Sequence, residues 1–178
     1  MTVFGLAASL TSAPALAQVS LLAGDPLLEA VETGDLETVR QMMLRGDDPD
    51  RTDQEGRTAL MLAIGQGALE MAAVLIDGGA VLARQDQTGN HALSWAADRG
   101  DDITVRRLIT AGAPVSLPNR QGMTPLMLAA RGGHSTVVAQ LLDAGVDPWT
   151  TDFTGADALY WAQESRSRQT LRLIEGAL

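Results

Sequence analysis

The chain has 178 residues, 46% hydrophobic but only 3% aromatic, which is enough for one domain whose core is built from Leu, Ala, Val, Ile and Met. Its formal charge of −9, with 13 arginines and no lysine, argues against binding a phosphate backbone and removes the P-loop, the Schiff-base lysine and the lysine general base. The absence of cysteine removes disulfides, thiolate catalysis and cysteine zinc sites.

From the N terminus, residues 1–17 combine an apolar stretch, the helix-breaking Pro14 and Ala15-Leu16-Ala17 before Gln18. This A-x-A pattern predicts a secretory signal peptide and a periplasmic protein, or a cytoplasmic one if the signal does not function. Met1 to Phe4 lack the positive charge that a bacterial export signal normally carries. The stretch is shorter than the roughly 20 residues of a spanning helix. No stable membrane insertion is expected after cleavage, and residues 18–178 are expected to form one domain.

Within that domain, glycines recur every 33 residues in three columns: Gly56, Gly89, Gly122 and Gly155; Gly34, Gly67, Gly100 and Gly133; Gly46, Gly79, Gly112 and Gly145. The first column closes a β-turn opened by Asp53, Asp86, Asn119 or Asp152, the second links two short helices, and the third ends the second helix. First helices are predicted to begin at Asp25, Thr58, His91, Thr124 and Asp157, with Pro26 and Pro125 at the first helical position. Leu27, Leu60, Leu93, Leu126 and Leu159 follow, then the small Ala30, Ala63, Ala96, Ala129 and Ala162. Second helices carry Val39, Ala72, Val105, Val138 and Leu171, then Met42, Leu75, Leu108, Leu141 and Ile174 three residues later. Each helix thus has one apolar stripe, which a lone helix pair cannot bury, so the units must stack. At the C-terminal end Glu175 occupies the place of Met43, Ile76, Ile109 and Leu142, as suits a unit with no further neighbour. Arg166 replaces the linking glycine, predicting a less tight turn there.

The stretch Asn119 to Asp147 carries Gly122, Thr124-Pro125-Leu126, Ala129-Ala130, Gly133-His134, Val137-Val138, Leu141-Leu142 and Gly145. In those positions it resembles one ankyrin repeat. The resemblance implies an all-α ankyrin-repeat solenoid of about four repeats plus a C-terminal helical cap. Met61, Ser94, Met127 and Tyr160 stand where the family has histidine, so the polar network between neighbouring turns should be weaker, with apolar stacking carrying more of the fold.

Ankyrin repeats bind protein partners through a concave surface of β-turn tips and first helices. Carried onto this sequence, the tip positions are Gln54, Glu55 and Arg57; Gln87, Thr88 and Asn90; Arg120, Gln121 and Met123; and Phe153. The first-helix positions are Gln66, Asp98, Arg99, Arg131 and Gln163. Arg99, Arg120, Arg131, Met123 and Phe153 are of types enriched at interfaces, which places the expected hot spot in repeats three to five. Trp95 and Trp161 fall in a leucine column and Trp149 in the loop before the last unit, where sequence leaves core and contact both open.

Catalytic candidates are few. His134 fits the interhelical Gly-His step, and His91 replaces an N-cap threonine, where the helix dipole opposes protonation. Ser94, His91 and Asp98 match a triad in composition only. The acidic run Asp47, Asp48, Asp50, Asp53, Glu55 fails calcium-loop spacing, because Asp53 falls on the glycine position and Ala59 on the bidentate Glu. The expectation is a monomeric, non-enzymatic binding module without metal or cofactor, whose protein partner has some basic surface and is not a nucleic acid. An inhibitor or immunity protein for a periplasmic enzyme is the alternative, and a small hydrolase using His91 as base is a further one.

Overall fold

The computed structural model describes residues 24–177. The signal peptide expected at residues 1–17 lies outside them. The described chain forms five helix pairs: α1 Pro26–Thr33 and α2 Leu36–Arg45, α3 Ala59–Gln66 and α4 Leu69–Asp77, α5 Ala92–Arg99 and α6 Asp102–Thr110, α7 Pro125–Gly132 and α8 Ser135–Asp143, α9 Ala158–Glu164 and α10 Arg168–Glu175. The only β pairing among the described residues is an isolated bridge between Thr52 and Thr58. Four repeats and a C-terminal helical cap describe this arrangement.

The helices start where capping chemistry directs. Asp25 Oδ1 accepts from the Leu27 amide at 2.9 Å, Thr58 Oγ1 from Met61 at 3.2 Å, and an Asp157 carboxylate oxygen from Tyr160 at 2.8 Å. Met61 and Met127, standing in the histidine column, return the bond through sulfur, each Sδ accepting from its Thr amide at 3.4 Å. The reciprocal capping box therefore survives with a thioether, a weak acceptor, in place of a polar side chain. His91 occupies the same N-cap position but caps nothing.

Stacking runs in two layers, with the odd-numbered helices packing in series on one side and the even-numbered ones on the other. Leu27, Leu60, Leu93 and Leu126 are no more than 1% exposed, and Ala63, Ala96, Ala129 and Ala162 are fully buried. The alanine column lets successive first helices approach closely. Each fully buried leucine contributes about 1.5–3 kcal/mol. The periodicity breaks at the last pair, where Leu159 and Leu171 are only half-buried and Glu175 is exposed.

The last interhelical turn departs from the others in one bond. Asp35, Ala68, Asp101 and His134 each donate their amide to an alanine carbonyl five residues back. The equivalent Ser167 donates instead to Ser165 Oγ at 3.3 Å. Arg166 nevertheless keeps the left-handed conformation of the glycines it replaces, at φ 57°. The turn is loosened in its hydrogen bonding while its backbone path is preserved.

Candidate partner-binding surface

Each turn tip is built on one acidic or amide side chain. Asp86 Oδ1 accepts from the amides of Thr88 at 2.8 Å and Asn90 at 3.0 Å and from Thr88 Oγ1 at 2.6 Å. Asp152 repeats this with Thr154 and Ala156, Asp53 with Glu55 and Arg57, and Asn119 with Gln121 and Met123. Successive tips are joined by one backbone bond per interface: Gln87 N to Glu55 O at 2.9 Å, Arg120 N to Thr88 O at 3.1 Å, and Phe153 N to Gln121 O at 3.1 Å. Asn119 Nδ2 adds a bond to Asn90 Oδ1 at 3.0 Å, and Gln87 Nε2 one to Gln54 O at 2.7 Å. The turns are therefore tied through backbone and amide groups, although the family's histidine is missing.

Two tips are also fastened to their own first helix. Trp95 Nε1 donates to Asp86 Oδ2 at 2.9 Å and Trp161 Nε1 to Asp152 Oδ2 at 3.0 Å. Where the leucine column holds Trp, the turn residue nine positions earlier is Asp; where it holds Leu128, that residue is Asn119, and where it holds Leu62, Asp53 remains but its Oδ2 accepts from Arg57 Nε instead. Both indoles are half-buried, a mixed role the sequence reading left open, and Trp149 is 42% exposed. Burial pushes the Asp152 carboxyl upward, but bonds from Thr154, Ala156 and Trp161 outweigh it and hold the group below the usual carboxylate range. Asp53 behaves alike: burial raises it, and the Arg57 side chain and the amides of Arg57 and Glu55 bring it down further.

The expected contact residues divide into three groups. Gln54, Glu55, Gln66, Gln87, Thr88, Arg120, Gln121, Phe153 and Gln163 are exposed, Phe153 at 79%. Arg57, Asn90, Asp98, Arg99 and Arg131 are engaged within the chain, the last three while exposed: Arg57 with Asp53 at 2.6 Å and Glu55 at 3.3 Å, Asn90 with Asn119, Arg131 with Asp98 at 2.8 Å, and Arg99 with Gly65 O at 2.8 Å; of the first group, Glu55 and Gln87 also make such bonds. Arg131 also lies 5.9 Å from the Trp161 ring centroid. Met123 is the correction. It is 5% exposed, because the residue after the turn glycine points back toward its own first helix, where its sulfur lies 3.6 Å from Arg131 Nη1. It packs under the surface rather than forming part of it.

Two concave-face residues escaped the sequence reading. Glu29 and Glu32 line a cleft of about 820 Å³ with Asp25, Asp53, Glu55 and Arg57. The 33-residue period was the available signal, since Glu32 shares a column with Asp98 and Arg131, and Glu29 one with Trp95 and Trp161.

Comparison with known proteins agrees with this geometry. A family model described as "Ankyrin repeats (3 copies)" matches residues 27–118 and again 93–177. The chain belongs to the ankyrin-repeat family. Two ankyrin repeat proteins of Rickettsia felis are each 47% identical to it over 45 residues, which is 25% of this chain and 71% and 68% of those proteins.

In this ankyrin solenoid His91 is fully buried, and its Nε2 lies 3.1 Å from Leu117 O. A carbonyl only accepts, so Nε2 carries the proton and donates. Burial lowers the His91 pKa, against the smaller opposing effects of that bond and of Asp86. His91 Nδ1 and Ser94 Oγ are both buried without a partner among the described residues. His91 thus ties its repeat to the following loop. The acidic run is likewise occupied with loop structure: Asp48 accepts from the Asp50 amide at 2.9 Å, and Asp50 from the Val81 amide of the next loop at 2.9 Å. No helix among the described residues is long and apolar enough to cross a membrane.

Proposed function

We propose that this ankyrin-repeat protein is a non-enzymatic module that binds a partner protein on its concave face, centred on Arg120, Arg131 and Phe153. The observation that carries this reading is the pairing at neighbouring tips of Phe153, 79% exposed, with Arg120, whose side chain makes no hydrogen bond or ion pair among the described residues. An exposed aromatic ring and an uncommitted guanidinium on successive tips are the side-chain chemistry that dominates interface energetics. The tips are held by bonds within and between repeats, so little ordering cost attends binding. Among the exposed large apolar residues elsewhere, Leu44 and Val81 are single aliphatics of the kind ordinary surfaces carry, while Leu69 and Ile103 line a groove between α4 and α6 that offers neither an aromatic ring nor a tip.

Inhibition of a periplasmic enzyme by occlusion would be one form of this activity. Export rests on Ala15-Leu16-Ala17, and the N-terminal sequence of the protein recovered from the periplasm checks it: Gln18 is the expected first residue. Affinity capture followed by mass spectrometry tests the binding surface. Wild-type protein should retain a partner that Arg120→Ala/Phe153→Ala loses and Leu44→Ala/Ile103→Ala keeps. Equal recovery by the first variant and the wild type would refute the assignment of this face.

A further inference from the structure

Charge on the concave face is separated along its length, and we propose that this fixes the direction of the partner. A segment of the bound protein lies across the face with basic side chains over the first two repeats and with a carboxylate and an apolar side chain over the last two. The inference rests on the concave-face reading above and adds the chemistry and polarity of what binds there.

At the first end, five carboxylates, Asp25, Glu29, Glu32, Asp53 and Glu55, surround the 820 Å³ cleft against two guanidiniums, that of Arg57 in the lining and that of Arg51, 3.6 Å from Asp25. Arg57 is already held by Asp53 at 2.6 Å and Glu55 at 3.3 Å and reaches Glu32 only as a more distant charge, so Glu29 and Glu32 enter no ion pair among the described residues. At the other end stand Arg120 and Phe153, with Glu164 the one exposed carboxylate on the first helix there. Residues 24–66 hold ten acidic and four basic side chains, a net of −6 out of the −9 of the whole chain. The acidity that sequence reading assigned to the molecule as a whole therefore belongs mainly to one end.

Between the ends the face carries one charge pair and the single positive charge of Arg99, which is held by the Gly65 carbonyl. Asp98 and Arg131 pair at 2.8 Å beside a cleft of about 260 Å³ that Asn90 and Gln121 also line. Ser94 lies beneath it, 0% exposed, with a hydroxyl that has no partner among the described residues. A polar cleft without net charge, with the amides of Asn90 and Gln121 in its lining, suits an uncharged hydrogen-bonding side chain from the middle of the bound segment. Packed helices sit roughly 8–10 Å apart, so α1 and α7, three steps along the stack, are separated by about 24–30 Å. That is some three screening lengths at physiological salt, so the two ends act as separate fields. Reversing the segment would bring base against Arg120 and acid against Glu29 and Glu32, the like-charge contact that selects against wrong orientations.

The cysteine-free chain allows a direct test, because a single introduced cysteine carries a single fluorophore. Labels are placed at Gln54→Cys for the first end and Gln163→Cys for the other, both positions exposed. The probe is a synthetic extended peptide with lysines in one half, glutamates and a leucine in the other, glutamine between them, and a quencher on the acidic terminus. Saturable binding at low ionic strength should quench the label at 163 and spare that at 54. Moving the quencher to the basic terminus should reverse the pattern. Glu29→Gln/Glu32→Gln should weaken binding about tenfold, as removal of two interfacial charges of one sign implies. Equal quenching at both labels, the opposite pattern, or no saturable binding overturns the proposal. If the native partner is still captured through Arg120 and Phe153 while the peptide shows no direction, the binding surface stands and its polarity falls.

Discussion

Replacing Asp86 by Asn isolates the bond between tip and helix. The carboxylate is 6% exposed, with Oδ1 serving three donors of its own turn and Oδ2 serving the Trp95 indole. An Asn amide can satisfy one side or the other but not both, since its NH₂ must face either the indole N–H or the turn amides. Loss of a charge-assisted bond and an unsatisfied buried donor should together cost about 1.5–3 kcal/mol. Trp95→Leu alone should cost about 1–2 kcal/mol through lost packing and the lost bond. The fourth repeat already contains the double replacement, Asn119 with Leu128. Asp86→Asn/Trp95→Leu should therefore be less destabilised than the sum of its parts by about 1 kcal/mol. Recovery is partial because the position equivalent to Asn90, which accepts from Asn119, is Arg57 in the preceding repeat. Urea titrations followed by helical circular dichroism give the cycle. Additivity to within about 0.3–0.5 kcal/mol would refute the coupling.

Further predictions concern backbone and protonation. At Gly89 an added Cβ would sit 2.6 Å from the Arg120 amide nitrogen, whereas at Gly155 it would meet nothing within 4 Å, although φ is +81° and +84°. Gly89→Ala should cost about 2–3 kcal/mol and Gly155→Ala about 1–2, the conformational penalty alone; equal urea midpoints would contradict the close approach of the tips. Arg166→Gly should raise stability by about 0.5–1 kcal/mol by relieving a left-handed non-glycine residue at φ 57°, and an unchanged or lower midpoint would argue against that strain. His91 has its pKa lowered in the folded protein, so its contribution to stability is complete above the ordinary histidine value of about 6.5. Below that, the unfolded chain takes the proton first, and stability should fall by up to about 1.4 kcal/mol per pH unit until the folded pKa is reached. His91→Asn should flatten the midpoint between pH 7.5 and 5.5, with those pH values chosen as roughly one unit either side of that histidine value; an identical slope in the variant would assign the dependence elsewhere.

The repeat architecture was legible because stacking demands the same residue at the same place every 33 positions, and Leu60, Ala63, Leu75 and Gly67 each have counterparts one period on. The surface was legible only as positions. Periodicity says that residue 123 belongs to a tip, but whether its side chain turns outward depends on what lies beneath, and an unbranched thioether fills the gap beside Arg131 better than it faces water. Partnerships across repeats, such as Arg99 reaching Gly65 O or Arg131 reaching Asp98, depend on the rotation between units and have no local signature. The Asp–Trp pairs did have one, the shared spacing of residues 86 and 95 with 152 and 161, which reads as a rule once geometry supplies its meaning. Net charge misled in a different way, because a sum over the chain hides a separation along it.

Photocrosslinking tests the concave-face account most directly. A photoreactive residue placed singly at Gln54, Gln87 or Gln121 on the concave face, and at Ile103 or Arg106 on the back, is illuminated in the presence of the native partner. The account predicts covalent adducts from the concave positions and none from the back. Adducts confined to positions 103 and 106 would contradict it and move the interface to the groove between α4 and α6.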